Sequence, residues 1–90
     1  MPRRTDSNQS DIVRMLRDFG ASVQDLSQVG HGCPDLMVGY RNRIFAFEVK
    51  SADGKLTPDE VKWRDNWKGN YYVIRDIETA MQILCDETED

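Results

Sequence analysis

The chain has 90 residues, 39% hydrophobic and 31% charged, a mixture that is typical of one small globular domain and excludes a fibrous or disordered chain. No run of about 18 apolar residues is present, and the charged N-terminal stretch contains no signal-peptide core, so no membrane span and a cytoplasmic protein are expected. The formal net charge of −4 by itself disfavours a nucleic acid as partner.

The first predicted elements are a helix and a short strand. Apolar residues recur with helical spacing at Ile12, Met15, Leu16 and Phe19. Ser7 is a suitable N-cap for this helix and Gly20 a suitable C-terminal stop. Residues 21–26 predict a weak edge strand, and the glycines and proline of residues 27–34 predict a loop.

Two apolar runs, 36–40 and 44–50, surround the polar residues 41–43 and predict an antiparallel hairpin with a three-residue turn. Folding the hairpin about Asn42 places Asp35 opposite Val49. The runs are nearly continuous rather than alternating, so we expect the hairpin to lie centrally in its sheet and to be covered on both faces.

The clearest local signal follows a turn at residues 51–55. Thr57, Pro58 and Glu60 have the spacing of a capping box, which predicts a helix through about Lys68. Residues 71–75 then predict a strand, and Asp76 can cap a last helix through Leu84. The predicted fold is one α/β domain with the order α-β-β-β-α-β-α.

The negative charge is concentrated at the C-terminal end. Residues 1–75 contain 12 bases and 10 acids, whereas residues 76–90 contain 6 acids and no base. We therefore divide the chain into a domain at residues 1–85 and a solvated acidic tail at residues 86–90. Residues 1–75 are therefore mildly basic, which is compatible with a nucleic acid partner.

Three charged residues are predicted to converge at one end of the hairpin. Glu48 and Lys50 lie two residues apart on one strand and so share a face. The hairpin brings Asp35 beside them, in a setting that the surrounding apolar residues predict to be poor in water. The alternative is a structural ion pair at the end of a sheet, with Asp35 capping the loop.

Two adjacent carboxylates repel each other unless a cation joins them. Mg²⁺ commonly binds one or two carboxylates together with waters and phosphate oxygens, and such an ion activates a phosphodiester and a water molecule. A lysine beside it can stabilise negative charge on phosphoryl oxygens or orient the attacking water. The three residues therefore suit metal-assisted hydrolysis of a phosphodiester.

The sequence resembles a nuclease family at these residues. Pro34-Asp35, twelve residues, and Glu48-Val49-Lys50 match the PD-(D/E)XK signature. The stretches around it, residues 32–39, 47–51 and 54–58 together with the helix that carries Trp63, resemble the VRR-NUC domain of virus-type replication-repair nucleases. The resemblance covers roughly residues 8–84.

The resemblance implies a restriction-endonuclease-like core, a mixed sheet flanked by helices, with Mg²⁺- or Mn²⁺-dependent cleavage of DNA. Asp35 and Glu48 would be metal ligands, the Val49 carbonyl a third ligand, and Lys50 the catalytic lysine. Compact members of the family resemble Holliday-junction resolvases, which implies a homodimer acting on branched DNA. A two-fold dimer can nick two symmetric strands. The expected compartment is the cytoplasm of a bacterial or phage-infected cell.

Two positions depart from the family pattern. The family usually has a glutamate early in the first helix, where this chain has Gln9, with Asp11 as a substitute if the helix is shifted. Glu60 stands where the family typically has glutamine. Glu60 has two interpretations: the capping-box partner of Thr57, or a catalytic carboxylate near the metal acting as an extra acid or weak ligand.

Several residues are candidates for contacts with DNA. A basic and polar set expected to flank the active-site edge consists of His31, Arg41, Arg43, Lys55 and Lys62, with Arg64 and Lys68 as further members. Each of them taken alone is more typical of a solvated surface residue, and only the set indicates a surface for DNA. The aromatic residues Trp63, Trp67, Tyr71 and Tyr72 can stack on bases or pack against the sheet or in a dimer interface.

Cys33 and Cys85 lie 52 residues apart with one histidine in the chain, which favours two reduced thiols over a zinc site or a disulfide. The prediction is a metal-dependent, structure-selective DNA endonuclease. The alternative is a catalytically weak or silent domain of nuclease fold that binds DNA or a protein.

Overall fold

The computed structural model of this protein describes residues 4–88, which form three helices and four strands. In chain order they are α1 (Arg4–Asp18), β1 (Ser22–Asp25), β2 (Leu36–Tyr40), β3 (Arg43–Val49), α2 (Pro58–Asn66), β4 (Tyr71–Ile74) and α3 (Ile77–Thr88). This is the predicted order, and the element type is correct throughout. Within residues 4–88, no helix is both long enough and apolar enough to cross a bilayer.

The four strands form one mixed sheet in the order β1-β2-β3-β4. Neighbouring strands are antiparallel from β1 to β3, whereas β3 and β4 are parallel. A parallel pair needs a crossover connection, and the segment that contains α2 provides it. The predicted hairpin of β2 and β3 is central and β1 is an edge strand, as expected.

The hydrophobic core lies on one face of the sheet, beneath α1 and α3. The register places the fully buried side chains of β2, β3 and β4 on this face, and these are Leu36, Val38, Phe45, Phe47 and Ile74. Ile12 and Leu16 of α1 and Ala80 and Leu84 of α3 complete the cluster. Burying each large side chain contributes about 1.5–3 kcal/mol, so this face supplies most of the stabilisation.

The first helix ends as predicted but begins earlier. Gly20 has a φ of 106°, and the amides of Gly20 and Ala21 donate to the carbonyls of Arg17 and Leu16, which is a Schellman ending. Ser7 lies inside α1 rather than at its N-cap. No glycine or proline interrupts the residues directly before Ser7, so the helix extends past this side chain.

The hairpin turn has two residues, where three were predicted. Arg41 and Asn42 have φ values of 50° and 66°, and Arg43 already belongs to β3. Two left-handed residues form the turn whose twist matches that of the flanking strands. The register is consequently displaced by one residue from the prediction, with Leu36 opposite Phe47, and continuing it places Asp35 opposite Glu48 instead of Val49.

The second face of the sheet is only partly covered, which contradicts the expectation that both faces are buried. Helix α2 packs on this face through Trp63, whose ring lies 6.0 Å from that of Tyr71. Met37 and Ile44 on the same face remain 40% and 63% exposed. The nine-residue α2 buries none of its own residues completely and does not cover Met37 or Ile44.

The predicted acidic tail is partly helical. Helix α3 continues through Thr88, whose hydroxyl donates to the Leu84 carbonyl at 2.6 Å and which is buried. The boundary predicted between residues 85 and 86 therefore falls inside α3, because this packing extends the helix by a turn. Residues 89–90 of the predicted tail lie outside the described residues.

Candidate active site

The structure brings Asp35, Glu48 and Lys50 together at one end of the hairpin. Asp35 directly precedes β2, Glu48 is the penultimate residue of β3, and Lys50 follows that strand. Asp35 Oδ2 accepts a hydrogen bond from the Val49 amide at 2.9 Å, and Lys50 Nζ lies 3.4 Å from Glu48 Oε2. The predicted convergence is therefore present, on the face of the sheet opposite the core.

Helix α2 adds Glu60 to this group. Glu60 Oε1 lies 2.7 Å from Lys50 Nζ. The same oxygen accepts from the Thr57 amide at 2.9 Å, while the Glu60 amide donates to Thr57 Oγ1 at 3.2 Å. The predicted capping box is thus confirmed. The two interpretations of Glu60 are compatible, because its carboxylate contacts both the Thr57 amide and Lys50.

Glu48 is the most strongly perturbed carboxyl group of the site. Its side chain is buried, and the residue is 3% exposed. Burial raises the pKa of Glu48 to about 8, with further contributions from the negative charges of Asp35 and Glu60. Burial also raises the pKa of Asp35, against the lowering effect of the hydrogen bond from the Val49 amide.

Lys50 and Glu60 form the charged pair at the rim of the site. Burial by itself would lower the pKa of Lys50, but the contacts with Glu60 and Glu48 outweigh it and raise that pKa. For Glu60 burial would raise the pKa, but the hydrogen bonds from Lys50 and Thr57 lower it. Lys50 is therefore a cation and Glu60 an anion at neutral pH.

The donor atoms at this end of the hairpin fit a divalent cation. Glu48 Oε1 is buried and has no hydrogen-bond partner among the described residues, and an unpaired buried carboxylate oxygen is costly unless a cation satisfies it. The carboxylates of Asp35 and Glu48 carry hard oxygen atoms of the kind that Mg²⁺ and Mn²⁺ bind. Within residues 4–88, no three His, Cys, Asp or Glu side chains form a group able to hold a metal ion, so backbone and solvent oxygens would complete the coordination.

Among the described residues, no carboxylate of α1 contacts the site. Gln9 Nε2 donates to Asp25 Oδ2 at 3.3 Å, and Asp11 pairs with Arg14 at 3.0 Å on the exposed side of α1. Asp25 lies opposite Leu36 and so faces the core side of the sheet. Asp11 therefore does not substitute for the glutamate that the family pattern has in this helix.

The candidate DNA-contact residues fall into two groups. His31 and Lys62 line one cavity next to α2, and Lys55 is exposed on the segment between β3 and α2. Arg41 and Arg43 lie at the hairpin turn, at the other end of β2 from Asp35 and roughly 17 Å away at 3.3 Å per residue. The expectation that all five flank the active-site edge is wrong for these two arginines, because one strand length separates them from it.

Arg41 and Arg43 have structural partners at that end of the hairpin. The Arg41 guanidinium lies 5.3 Å from the centre of the Tyr40 ring. Arg43 Nη1 donates to the Glu87 carbonyl at 2.9 Å, which anchors the C-terminal end of α3 to the hairpin. These contacts favour a stabilising role for both side chains.

Two further residues lie near the site, Tyr71 and Cys33, which the sequence predicts only as a stacking or packing ring and as a reduced thiol. The Tyr71 hydroxyl is buried without a partner among the described residues. Burial raises the pKa of Tyr71 to about 12, with a contribution from Glu48. Burial, followed by Glu48 and Asp35, raises the pKa of the Cys33 thiol, which disfavours Cys33 as a nucleophile. The parallel pairing of β3 and β4 places Tyr71 there, and no local sequence signal encodes it.

The comparisons with known proteins support the architecture. No family model and no curated protein matches the sequence. A solved structure titled "VRR_NUC domain" superposes on this chain with a TM-score of 0.74, covering 99% of this chain and 100% of the other at 22% sequence identity. The chain has the fold of a VRR_NUC domain. The resemblance inferred from the motif residues and the predicted fold class are both confirmed by the VRR_NUC fold.

Proposed function

We propose that this protein is a metal-dependent endonuclease that hydrolyses phosphodiester bonds in DNA. One observation carries the proposal: Asp35, Glu48 and Lys50 meet on one face of the sheet, where buried Glu48 Oε1 has no hydrogen-bond partner within residues 4–88. The VRR_NUC fold adds support, since VRR_NUC domains have a nuclease fold.

In this proposal Mg²⁺ or Mn²⁺ is held by Asp35, Glu48 and the Val49 carbonyl. The bound ion would supply Lewis-acid activation of the phosphodiester and of a water molecule. Lys50 stabilises the negative charge that develops on the phosphoryl oxygens or orients the attacking water. Glu60 holds the Lys50 ammonium group in place through its 2.7 Å contact, and the amide of Val49 orients the Asp35 carboxylate.

DNA would approach the face of the sheet that carries α2 at the end where α2 and Lys50 lie, away from the hairpin turn. Exposed His31 and Lys62 beside α2, and exposed Lys55 between β3 and α2, would contact its phosphates. We further propose branched or junction DNA as the substrate, cut by a homodimer in which a second copy covers exposed Met37 and Ile44. The free Cys33 and Cys85 fit a reducing compartment such as the cytoplasm.

The direct test is cleavage of branched, flapped and linear duplex DNA with Mn²⁺ or Mg²⁺. We expect Lys50→Ala to reduce the rate at least about 100-fold, because a positioned charge is usually worth that much in the transition state. Arg14→Ala, which removes an exposed arginine on α1 paired with Asp11, is the control and should cleave at the wild-type rate. Absence of cleavage by the wild-type protein, or equal cleavage by Lys50→Ala, contradicts the proposal.

The second candidate is a catalytically weak or silent domain that binds DNA or a protein partner. The neutral Gln9 favours it, since this side chain pairs with Asp25 and adds no negative charge near Asp35. Calorimetric titration with Mn²⁺ separates the two candidates. A nuclease should bind Mn²⁺ in a manner that Asp35→Asn abolishes, whereas a silent domain should show no binding that depends on Asp35.

A further inference from the structure

A cavity of about 470 Å³ lies beside the proposed active site. It is lined by residues of α2, by Trp67 after that helix and by one residue of the preceding glycine-containing loop: His31, Asp59, Lys62, Trp63, Asn66 and Trp67. We call it the aromatic groove. The loop reaches α2 because Gly32 has no side chain; a Cβ there would collide with the Asp59 backbone.

The two tryptophans offer ring surface rather than hydrogen-bonding groups. Their rings are stacked at 4.8 Å with an interplanar angle of 24°. Trp67 is 42% exposed, although its indole Nε1 already donates to the Asn70 carbonyl at 3.1 Å. Burying exposed indole surface against another flat ring is favourable. Because Trp67 is exposed although it stacks on Trp63, part of its ring surface is open to a further flat ring.

The remaining lining residues have the chemistry of a nucleotide contact. Lys62 and His31 are exposed and can donate to phosphate oxygens. Asp59 provides carboxylate oxygens and Asn66 a side-chain amide, groups of the kind that pair with base edges. Asn66 Nδ2 also donates to the Lys62 carbonyl at 2.9 Å. A second cavity, between α1 and β1, has no aromatic side chain among the described residues that line it.

The groove and the proposed active site share helix α2. Glu60 and Trp63 lie three residues apart on α2 and so on one side of the helix. Glu60 contacts Lys50 at 2.7 Å, and three residues along a helix span roughly 5 Å. A nucleotide in the groove would thus be within a few nucleotides of a phosphate at Lys50.

We infer that the aromatic groove binds an unpaired nucleobase of the strand that is cut, stacked on Trp67. The inference rests on the proposed function for the identity of the ligand. Bases inside a duplex stack on both neighbours and have no free face, whereas an unpaired base gains about 1–3 kcal/mol from an aromatic platform. The groove therefore selects flaps, overhangs or unpaired branch points over continuous duplex.

The native protein contains its own reporter for this site, because the two tryptophans of the chain both line the groove. A 12-nucleotide single strand would be titrated in EDTA, which prevents metal-dependent cleavage, and tryptophan fluorescence would be recorded. We expect quenching by the single strand and little by a blunt duplex. A strand of abasic residues keeps the phosphates but should bind at least about fivefold more weakly, the lower bound for one stacked base.

Substitutions of single aromatic residues test whether the single strand binds at Trp67. Trp67→Leu should weaken single-strand affinity about tenfold by fluorescence anisotropy in EDTA, with Trp67→Phe restoring most of it and duplex affinity unchanged. Phe19→Leu is the matched control, since Phe19 is also a partly exposed ring in a stacked pair, with Tyr40 at 5.5 Å. It should bind single strands as the wild type does.

Three results would overturn the inference. These are equal quenching by abasic and ordinary strands, equal quenching by duplex and single strand, and a fluorescence change with protein concentration alone, which would mean that a second copy fills the groove. The nuclease proposal can fail separately. Quenching in EDTA without cleavage in Mn²⁺ would support base binding by the groove and contradict only the proposed catalysis.

Discussion

Glu48 is a buried carboxyl group at the proposed active site. Its neighbours in β3 are apolar and put it in a buried position, yet it faces Lys50 and the Asp35 carboxyl. Burying a carboxylate without a full set of partners opposes folding. The position is thus unfavourable for stability and favourable for holding a cation, a compromise that functional sites commonly show.

The first prediction concerns pH. The pKa of Glu48 is about 8 in the folded protein and 4.5 in a model peptide, so between these values the folded state holds a proton that the unfolded state has lost. Stability without metal should therefore fall as pH rises from about 4.5 to 8. Urea unfolding in EDTA across this range measures the slope.

Glu48→Gln should flatten that slope, because it removes the titrating group while keeping the shape of the side chain. Glu78→Gln, at an exposed glutamate of α3, is the control and should retain the wild-type slope. A Glu48→Gln protein with the same pH dependence as the wild type would show that Glu48 is not the group responsible.

At the scale of elements, the site depends on the contact between the loop at residues 26–35 and helix α2. The capping box orients the first turn of α2 and with it Glu60. Gly30, His31 and Gly32 have consecutive positive φ values of 79°, 58° and 80°, which turn the loop toward that helix. The loop then leads directly into Asp35, so its path determines where that carboxylate lies.

The two glycines of this loop allow a matched test of the contact. Both have positive φ, so alanine at either position costs about 1 kcal/mol in backbone strain. A Cβ at Gly30 meets nothing within 4 Å, whereas one at Gly32 collides with the Asp59 backbone. Gly30→Ala should lose about 1 kcal/mol and Gly32→Ala at least about 2 kcal/mol, since overpacking adds to the strain.

Urea unfolding of both variants measures this difference, and Mn²⁺-dependent cleavage shows whether the loop also positions Asp35. Equal losses of stability in the two variants would mean that the loop does not pack closely against α2 at Gly32.

At the scale of the whole molecule, charge and exposure are divided between the two faces of the sheet. The described acids of residues 76–88 belong to α3 and its cap, on the core side: Asp76, Glu78, Asp86 and Glu87. The proposed site and Lys62 lie on the other side. The net charge of the chain is therefore a poor guide to the surface that DNA would meet.

The open face of the hairpin yields the prediction for assembly. Ile44→Asp places a charge at the most exposed large apolar residue of this face, where burial against a second copy would cost several kcal/mol. We expect light scattering to show a dimer for the wild type and a monomer for Ile44→Asp. Val29→Asp, at an exposed apolar residue of the loop, should remain dimeric; a monomeric wild type contradicts the dimer.

The sequence by itself determined the order and type of the elements and the residues of the proposed site. The capping box, the glycine stop of α1 and the motif of Asp35, Glu48 and Lys50 depend on hydrogen bonds and spacings within a few residues or within one hairpin. Such local features can be identified in one chain without knowledge of its packing. They predicted the architecture, although the hairpin register was displaced by one residue because its turn is shorter.

Only the tertiary structure decided what surrounds those residues. The pairing of β4 with β3 brings Tyr71 toward Glu48, and the loop before β2 meets α2 to form the aromatic groove. Packing likewise extends α3 through Thr88 and leaves Ile44 exposed. These contacts join segments far apart in sequence, so they depend on how whole elements pack together, which no local pattern of residues specifies.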